Sequence, residues 1–228
     1  VDKDAVTVAR HVFGESFDLA ERFHQLLATV GISRGLLGPR EAERLWDRHL
    51  VNCAVLTELL PEGARVVDVG SGAGLPGVVL AVRRPDLRVD LVESLQRRSE
   101  FLTDAVAELQ LGSRVRVVRG RVEDATVLAA VGEADWVTAR AVAPLDRLVR
   151  WCLPLLRPGG HLLAMKGATV SAEIADHKAA VRGSGADSIE IVQCGVGVLA
   201  APTTVVSVRR GPTTRPQNHR VPNPKGIA

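Results

Sequence analysis

Val66-Val67-Asp68-Val69-Gly70-Ser71-Gly72-Ala73-Gly74-Leu75-Pro76-Gly77 is the stretch from which the rest of the chain can be read. Three valines around a single acid read as a buried strand. Glycines then crowd the segment Gly70 to Gly77, and Val78 to Val82 continues as helix. Glycine lets a backbone turn sharply and lets a ligand approach the main chain. In a doubly wound sheet such a strand–loop–helix lies at the carboxyl ends of the strands, where ligands bind.

Outward from this loop, apolar runs and helical patterns alternate. Strands are expected at Ala64–Val69, Leu87–Val92, Arg114–Val118, Asp135–Ala139 and His161–Met165. Between them fall helices at Leu95–Leu109, Asp124–Ala130 and Leu145–Leu156, the last stopped by Pro158-Gly159-Gly160. A helix near Ser171–Val181 follows, then two strands, Ser188–Cys194 and Thr203–Arg209, with no helix between them. Alternation of this kind gives a parallel sheet covered on both faces, and the last two strands form an antiparallel hairpin. The expected fold is α/β and Rossmann-like: a mostly parallel seven-stranded sheet with a C-terminal hairpin, similar to the class I methyltransferases.

Upstream, Phe17 to Val30 has helical spacing with Gly31 placed as its C-cap, and a second helix is expected from Pro39 to Leu60. The division expected is a helical extension over 1–62, the sheet domain over 63–210, and a proline-containing disordered tail over 211–228.

Composition bounds the rest. The chain has 228 residues, 46% hydrophobic and 24% charged, with a net charge of +3 and a pI near 9.1. That suits one α/β domain with an extra element and tolerates a polyanionic partner. No apolar run reaches membrane-spanning length, and the start lacks a signal-peptide pattern. Cys53, Cys152 and Cys194 are far apart and read as reduced, partly buried thiols, as in a cytoplasmic protein. No metal site is expected. Four Phe, three Trp and no Tyr leave few rings on which to stack single-stranded bases.

The loop's spacing selects among ligands. Counting from Gly70, the sixth residue is Leu75, so the dinucleotide fingerprint fails. Val78 and Val79 after Gly77 exclude a phosphate-binding G-K-[ST] loop. D-V-G-S-G-A-G is similar to the methyltransferase loop that holds S-adenosylmethionine, a ligand with no pyrophosphate. Glu93 ends the second strand, where a carboxylate can accept hydrogen bonds from ribose hydroxyls. Filling the loop by Gly72→Val is expected to abolish cofactor binding. After the fourth strand stands Arg140-Ala141-Val142-Ala143-Pro144, without the [DN]-P-P-[YF] of amino-methylating enzymes. No cysteine follows a proline, as cytosine-C5 chemistry would require. A ring nitrogen with a free lone pair needs neither base nor nucleophile, and positioning suffices for it. No catalytic residue is therefore assigned.

Trp46-Asp47-Arg48-His49-Leu50-Val51-Asn52, the glycine loop, Arg121-Val122-Glu123, Arg140-Ala141 and Lys166-Gly167 together resemble the RsmG family, also called glucose-inhibited division protein B. This family comprises bacterial 16S ribosomal RNA guanine-N7 methyltransferases. The resemblance spans Leu36 to Arg209. It implies methylation of guanine 527 in the 530 loop, on 16S rRNA or the small subunit; apart from the resemblance, a monomer without metal or membrane is the default expectation. The resemblance also implies cofactor contacts at Gly70, Leu75, Val122, Glu123 and Arg140, with Arg121, Arg140 and Lys166 around the acceptor; Gly72 and Glu93 join the cofactor candidates from the loop and strand end themselves. The first fifteen residues and the tail lie outside it, and Val198–Pro202 lacks a charge that some relatives carry. Alternatives left open are another RNA, protein or small-molecule acceptor, and a non-catalytic RNA-binding protein of the same fold. His49, on an apolar helix face, reads as packed and hydrogen-bonded rather than catalytic.

Overall fold

The computed structural model describes residues 3–167 and 170–212. Seven strands form one sheet in the order β3-β2-β1-β4-β5-β7-β6. β1 (Arg65–Val69), β2 (Arg88–Glu93), β3 (Val115–Arg119), β4 (Ala134–Arg140) and β5 (Leu156–Met165) run parallel. β7 (Thr203–Arg210) enters antiparallel between β5 and β6 (Ala186–Cys194). The expected parallel sheet with a terminal hairpin is thus observed. From β1 the chain winds outward through β2 to β3, then returns to β4 on β1's other side. The crevice between β1 and β4 is the topological switch point at which open α/β sheets bind ligands.

Val66, Val67, Leu91 and Val137 are all fully buried, because helices cover both faces and parallel strands must be apolar on both. One face carries α4 (Gly77–Arg83) and α5 (Gln96–Glu108), which share a continuous core with the N-terminal helices through Phe23, Leu80 and Leu102. The other carries α6 (Ala125–Val131), α7 (Leu145–Cys152) and α8 (Val170–Gly183), with Val127, Val149 and Val181 inside.

The N-terminal helices are α1 (Lys3–Phe13) and α2 (Phe17–Leu26), followed by a helical run over 39–59 of which α3 (Val51–Ala54) is the regular middle. Trp46 joins them: its ring stacks on Phe17 (5.4 Å) and His24 (4.8 Å), and Phe13 meets it edge-on (6.1 Å). Cys53, Cys152 and Cys194 are free and buried.

Three expectations shift. Gly31 does not end the first helix. The chain stays helical to Ser33, and the left-handed residue is Gly35 (φ +65°). Leu36 N–H bonds Gly31 O (2.9 Å) and Gly35 N–H bonds Ile32 O (2.8 Å), a Schellman closure. The helix from Pro39 is not uniform: it changes pitch at Leu45, Val51 and Val55, with Arg44 at φ −113° marking the first break. β5 begins at Leu156, not His161. Leu156 pairs Ala134 while His161 pairs Trp136, so Pro158-Gly159-Gly160 is a bulge inside the strand. A Cβ on Gly160 would stand 2.8 Å from Asp135 O, a close approach that only glycine allows. The tail expected to be disordered falls, beyond Pro212, outside the described residues.

Candidate active site

The glycine loop leaves β1 and is tied to its neighbours by two carboxylates. Asp68 is wholly buried. Its Oδ2 accepts from Gly77 N (3.0 Å), at the start of α4, and its Oδ1 from Thr138 Oγ1 (2.9 Å) on β4. Burial pushes its pKa up to about 6, against the lowering effect of these donors. Gly77 is obligatory here, since a Cβ would lie 2.4 Å from Leu91 Cδ2 and 2.7 Å from Asp68 Oδ2. Glu93 closes the loop from β2: Oε2 accepts from Gly72 N and Oε1 from Leu95 N, both 2.9 Å. Gly72 has φ +58° and only Gly70 O near a would-be Cβ, at 3.7 Å. Its requirement is conformational, so the loop-filling reason expected for Gly72→Val is replaced by backbone strain.

Around this loop is a cleft of about 500 Å³. Gly70 to Ala73, Leu75 and Glu93 form its floor; Leu36, Leu37 and Leu95 add apolar walls; His49, Arg140 and Ala141 close one end. A second cleft, about 590 Å³, begins at the same Arg140 and Ala141 and runs past Arg48, Asn52, Met165 and Lys166 to Thr204. The two clefts meet at the end of β4.

Arg140 is fixed at that meeting point. Its Nη2 donates to His49 Nδ1 (2.6 Å) and its Nη1 to Cys53 Sγ (3.3 Å). An arginine only donates, so His49 Nδ1 is the acceptor and its proton sits on Nε2, 2.5 Å from Glu41 Oε2. Burial and then the Arg140 charge lower the His49 pKa, keeping the ring neutral. Next in sequence, Ala141 adopts φ +53°, a conformation costing a non-glycine residue roughly 1 kcal/mol and typical of functional turns. Lys166 Nζ bonds Glu173 Oε1 (2.8 Å) and Ala143 O (3.2 Å), and the same Glu173 oxygen accepts from Leu145 N (2.8 Å).

Of the residues expected at the site, Gly70, Gly72, Leu75, Glu93 and Arg140 line the first cleft, and Arg140 and Lys166 the second. Arg121, Val122 and Glu123 line neither. They leave β3 beside Glu93, with Gly120 N bonded to Glu93 O (3.0 Å). Val122 is buried among Val127 and Val131, and Arg121 is exposed and paired to Glu123 (2.6 Å). β3 is three strand spacings from β4, about 14 Å, so Arg121 does not join Arg140 and Lys166 around one acceptor pocket. Among the described residues no group of three His, Cys, Asp or Glu is gathered as a metal would need.

The family model for rRNA small subunit methyltransferase G, GidB, matches residues 17–199. The chain belongs to this family. A ribosomal RNA small subunit methyltransferase G of Salinispora arenicola is 60% identical over 91% of this chain and 87% of its own. The one from Rhodococcus jostii is 53% identical over 93% and 92%. Among solved structures, Aeropyrum pernix fibrillarin in complex with natively bound S-adenosyl-L-methionine superposes with a TM-score of 0.52 at 20% identity, covering 71% of this chain and 74% of that one. At that identity the likeness conveys the fold.

Within this GidB-family chain, several residues that shape the site were not read from sequence. Asp68 carried a signal, a lone acid inside a valine strand. Glu41 and Glu173 carried none, because their partners come from other elements. Ala141 also gave no warning, since alanine rarely adopts a left-handed turn.

Proposed function

We propose that this chain, an S-adenosylmethionine-dependent methyltransferase of small-subunit ribosomal RNA, places the methyl on N7 of guanine 527 in the 530 loop. The observation that carries the reading is the meeting of two clefts at Arg140–Ala141, one built on the glycine loop and one open along β4, β5 and β7. The first cleft suits the cofactor. Its volume is that of a small-molecule site. Glu93 keeps a spare lone pair on each oxygen for ribose hydroxyls, and Leu36, Leu37 and the exposed Leu95 offer apolar contact for a purine.

S-adenosylmethionine supplies an electrophilic methyl on a sulfonium. The chain's residues then have to bring a guanine edge in line and hold it. Arg140 and Lys166 are cations on the acceptor side. Arginine and lysine match guanine O6 or a phosphate. Both side chains are tied off sideways, Arg140 to His49 and Lys166 to Glu173. A cation on the attack line would oppose the charge that N7 gains, so this lateral placement fits. No proton leaves N7, and no free base is required.

The test is methyl transfer from labelled cofactor to small subunits and to deproteinised 16S rRNA, both from a strain lacking the gene, followed by base mapping. Label at N7 of guanine 527 is expected. Label elsewhere, or none with cofactor binding intact, would overturn the assignment of acceptor.

A further inference from the structure

Arg140 is the charged side chain that both clefts share, and it bonds a residue 91 positions earlier. His49 is 6% exposed, and each ring nitrogen has one partner: Glu41 at Nε2, Arg140 at Nδ1. A buried neutral imidazole that accepts from a guanidinium fixes where the fork points. The remaining Arg140 contacts, to the weak acceptor Cys53 Sγ at 3.3 Å and to Arg48 O at a long 3.5 Å, do not fix it alone. Glu41 sets the tautomer by accepting a hydrogen bond from Nε2–H, as a carboxylate behind a histidine does elsewhere.

We propose that His49 is a positioning residue for the RNA acceptor: as the Nε2–H tautomer held by Glu41, it accepts from Arg140 and aims that guanidinium at the boundary between the cofactor and acceptor clefts. The inference rests on the reading of Arg140 as an acceptor-side residue. It separates His49 from the catalytic role, since both ring nitrogens are engaged by protein side chains.

The charged and titratable groups around His49 are Glu41 and Arg48 on its own helical run, the buried Cys53 thiol, and Arg140 from β4. Protonation would place an N–H on Nδ1, opposite the Arg140 N–H. It therefore ends the acceptor bond and frees the fork. Acid should weaken RNA methylation below the ordinary histidine range through this group.

Two near-isosteric replacements divide the two bonds. Asparagine puts an amide oxygen near the Nδ1 position and keeps an acceptor for Arg140. Glutamine reaches the Nε2 position and keeps a donor for Glu41 while losing the Arg140 acceptor. The experiment measures kcat and KM for small subunits from pH 5 to 8 with the wild type, His49→Asn, His49→Gln and Arg140→Ala. Cofactor Kd and the unfolding midpoint are measured alongside. The expected result is that His49→Gln raises KM for the subunit about tenfold or more with cofactor Kd changed less than threefold. His49→Asn should stay within a few-fold of the wild type and lose the acid limb. Glutamine and asparagine behaving alike, or an acid limb surviving in His49→Asn, would overturn the positioning role. If Arg140→Ala itself leaves methylation intact, the reading of Arg140 fails first, and that outcome is distinguishable from a His49 failure.

Discussion

Replacing Asp68 by asparagine should make the protein more stable above pH 6 and leave it nearly unchanged near pH 4. The carboxyl is buried on every side and titrates near 6 in the folded chain, against an ordinary value of 3.8. The folded state therefore binds more protons than the unfolded state between those values. Stability associated with this group is full below about pH 4 and is lost as pH rises through 6. At 1.36 kcal/mol per pH unit the loss is about 3 kcal/mol, a large part of a typical 5–15 kcal/mol domain stability. Asparagine keeps both contacts. Its oxygen accepts from Gly77 N and its amide donates to Thr138 Oγ1, whose hydroxyl rotates to receive it. Urea unfolding of both proteins from pH 4 to pH 8 gives the difference directly, because every other titrating group is common to the pair. The variant's advantage should grow by about 3 kcal/mol between pH 4 and pH 7 and then level. Parallel stability curves would refute the reasoning. So would a wild type that gains on the variant with rising pH. Either would mean that Gly77 N–H and the start of α4 favour the carboxylate more than burial opposes it.

Four further substitutions test the site. Gly77→Ala should cost about 2–3 kcal/mol in denaturant unfolding, because its Cβ meets Leu91 and the Asp68 carboxyl; Gly72→Ala should cost only about 1 kcal/mol, from the positive φ alone. Glu93→Ala, which releases Gly72 N and Leu95 N, should weaken cofactor binding at least tenfold by calorimetry, and unchanged affinity would remove the loop from the cofactor site. Glu173→Ala leaves the mostly buried Lys166 without its carboxylate and should lower unfolding stability by about 2–4 kcal/mol, with no loss expected if Lys166 finds water instead.

The sheet was legible because its strands are buried on both faces and therefore read as apolar runs, and because glycines mark the turn after β1. Where one residue type serves two purposes, the pattern misleads. Pro158-Gly159-Gly160 has the composition of a turn and sits in a bulge, since Gly160 is needed for close approach to Asp135 O rather than for reversal. Gly31 follows the last residue of the helical pattern, but Ile32 and Ser33 extend the helix and Gly35 ends it. The site was legible as far as it is local. Gly70 to Gly77 and Glu93 stand at the ends of adjacent strands and come together through simple topology. Arg121 was grouped with Arg140 and Lys166, and the strand order separates them, a fact that spacing along the chain does not contain. The contacts that orient Arg140 and Lys166 join residues on different elements, and periodicity reports which face is buried without saying what lies against it.

Those contacts also bear on which atom is methylated. The end of β4 is held from three directions: Thr138 by Asp68 of β1, Arg140 by His49 of the helical run, and Leu145 N just beyond by Glu173 of α8. Every acid or imidazole in these contacts is already engaged. Asp68 accepts from a backbone N–H and a hydroxyl, Glu41 faces His49 and Arg48, and Glu173 holds Lys166 and Leu145 N. His49 uses both nitrogens. A general base must be free to take a proton within hydrogen-bond reach of the reacting group. These groups are instead committed to holding the backbone and two cations in place. An exocyclic amine has to lose a proton when methylated, whereas a ring nitrogen does not. A site that fixes geometry from three sides and keeps its acids occupied is matched to the ring nitrogen, where orientation alone can supply much of the rate.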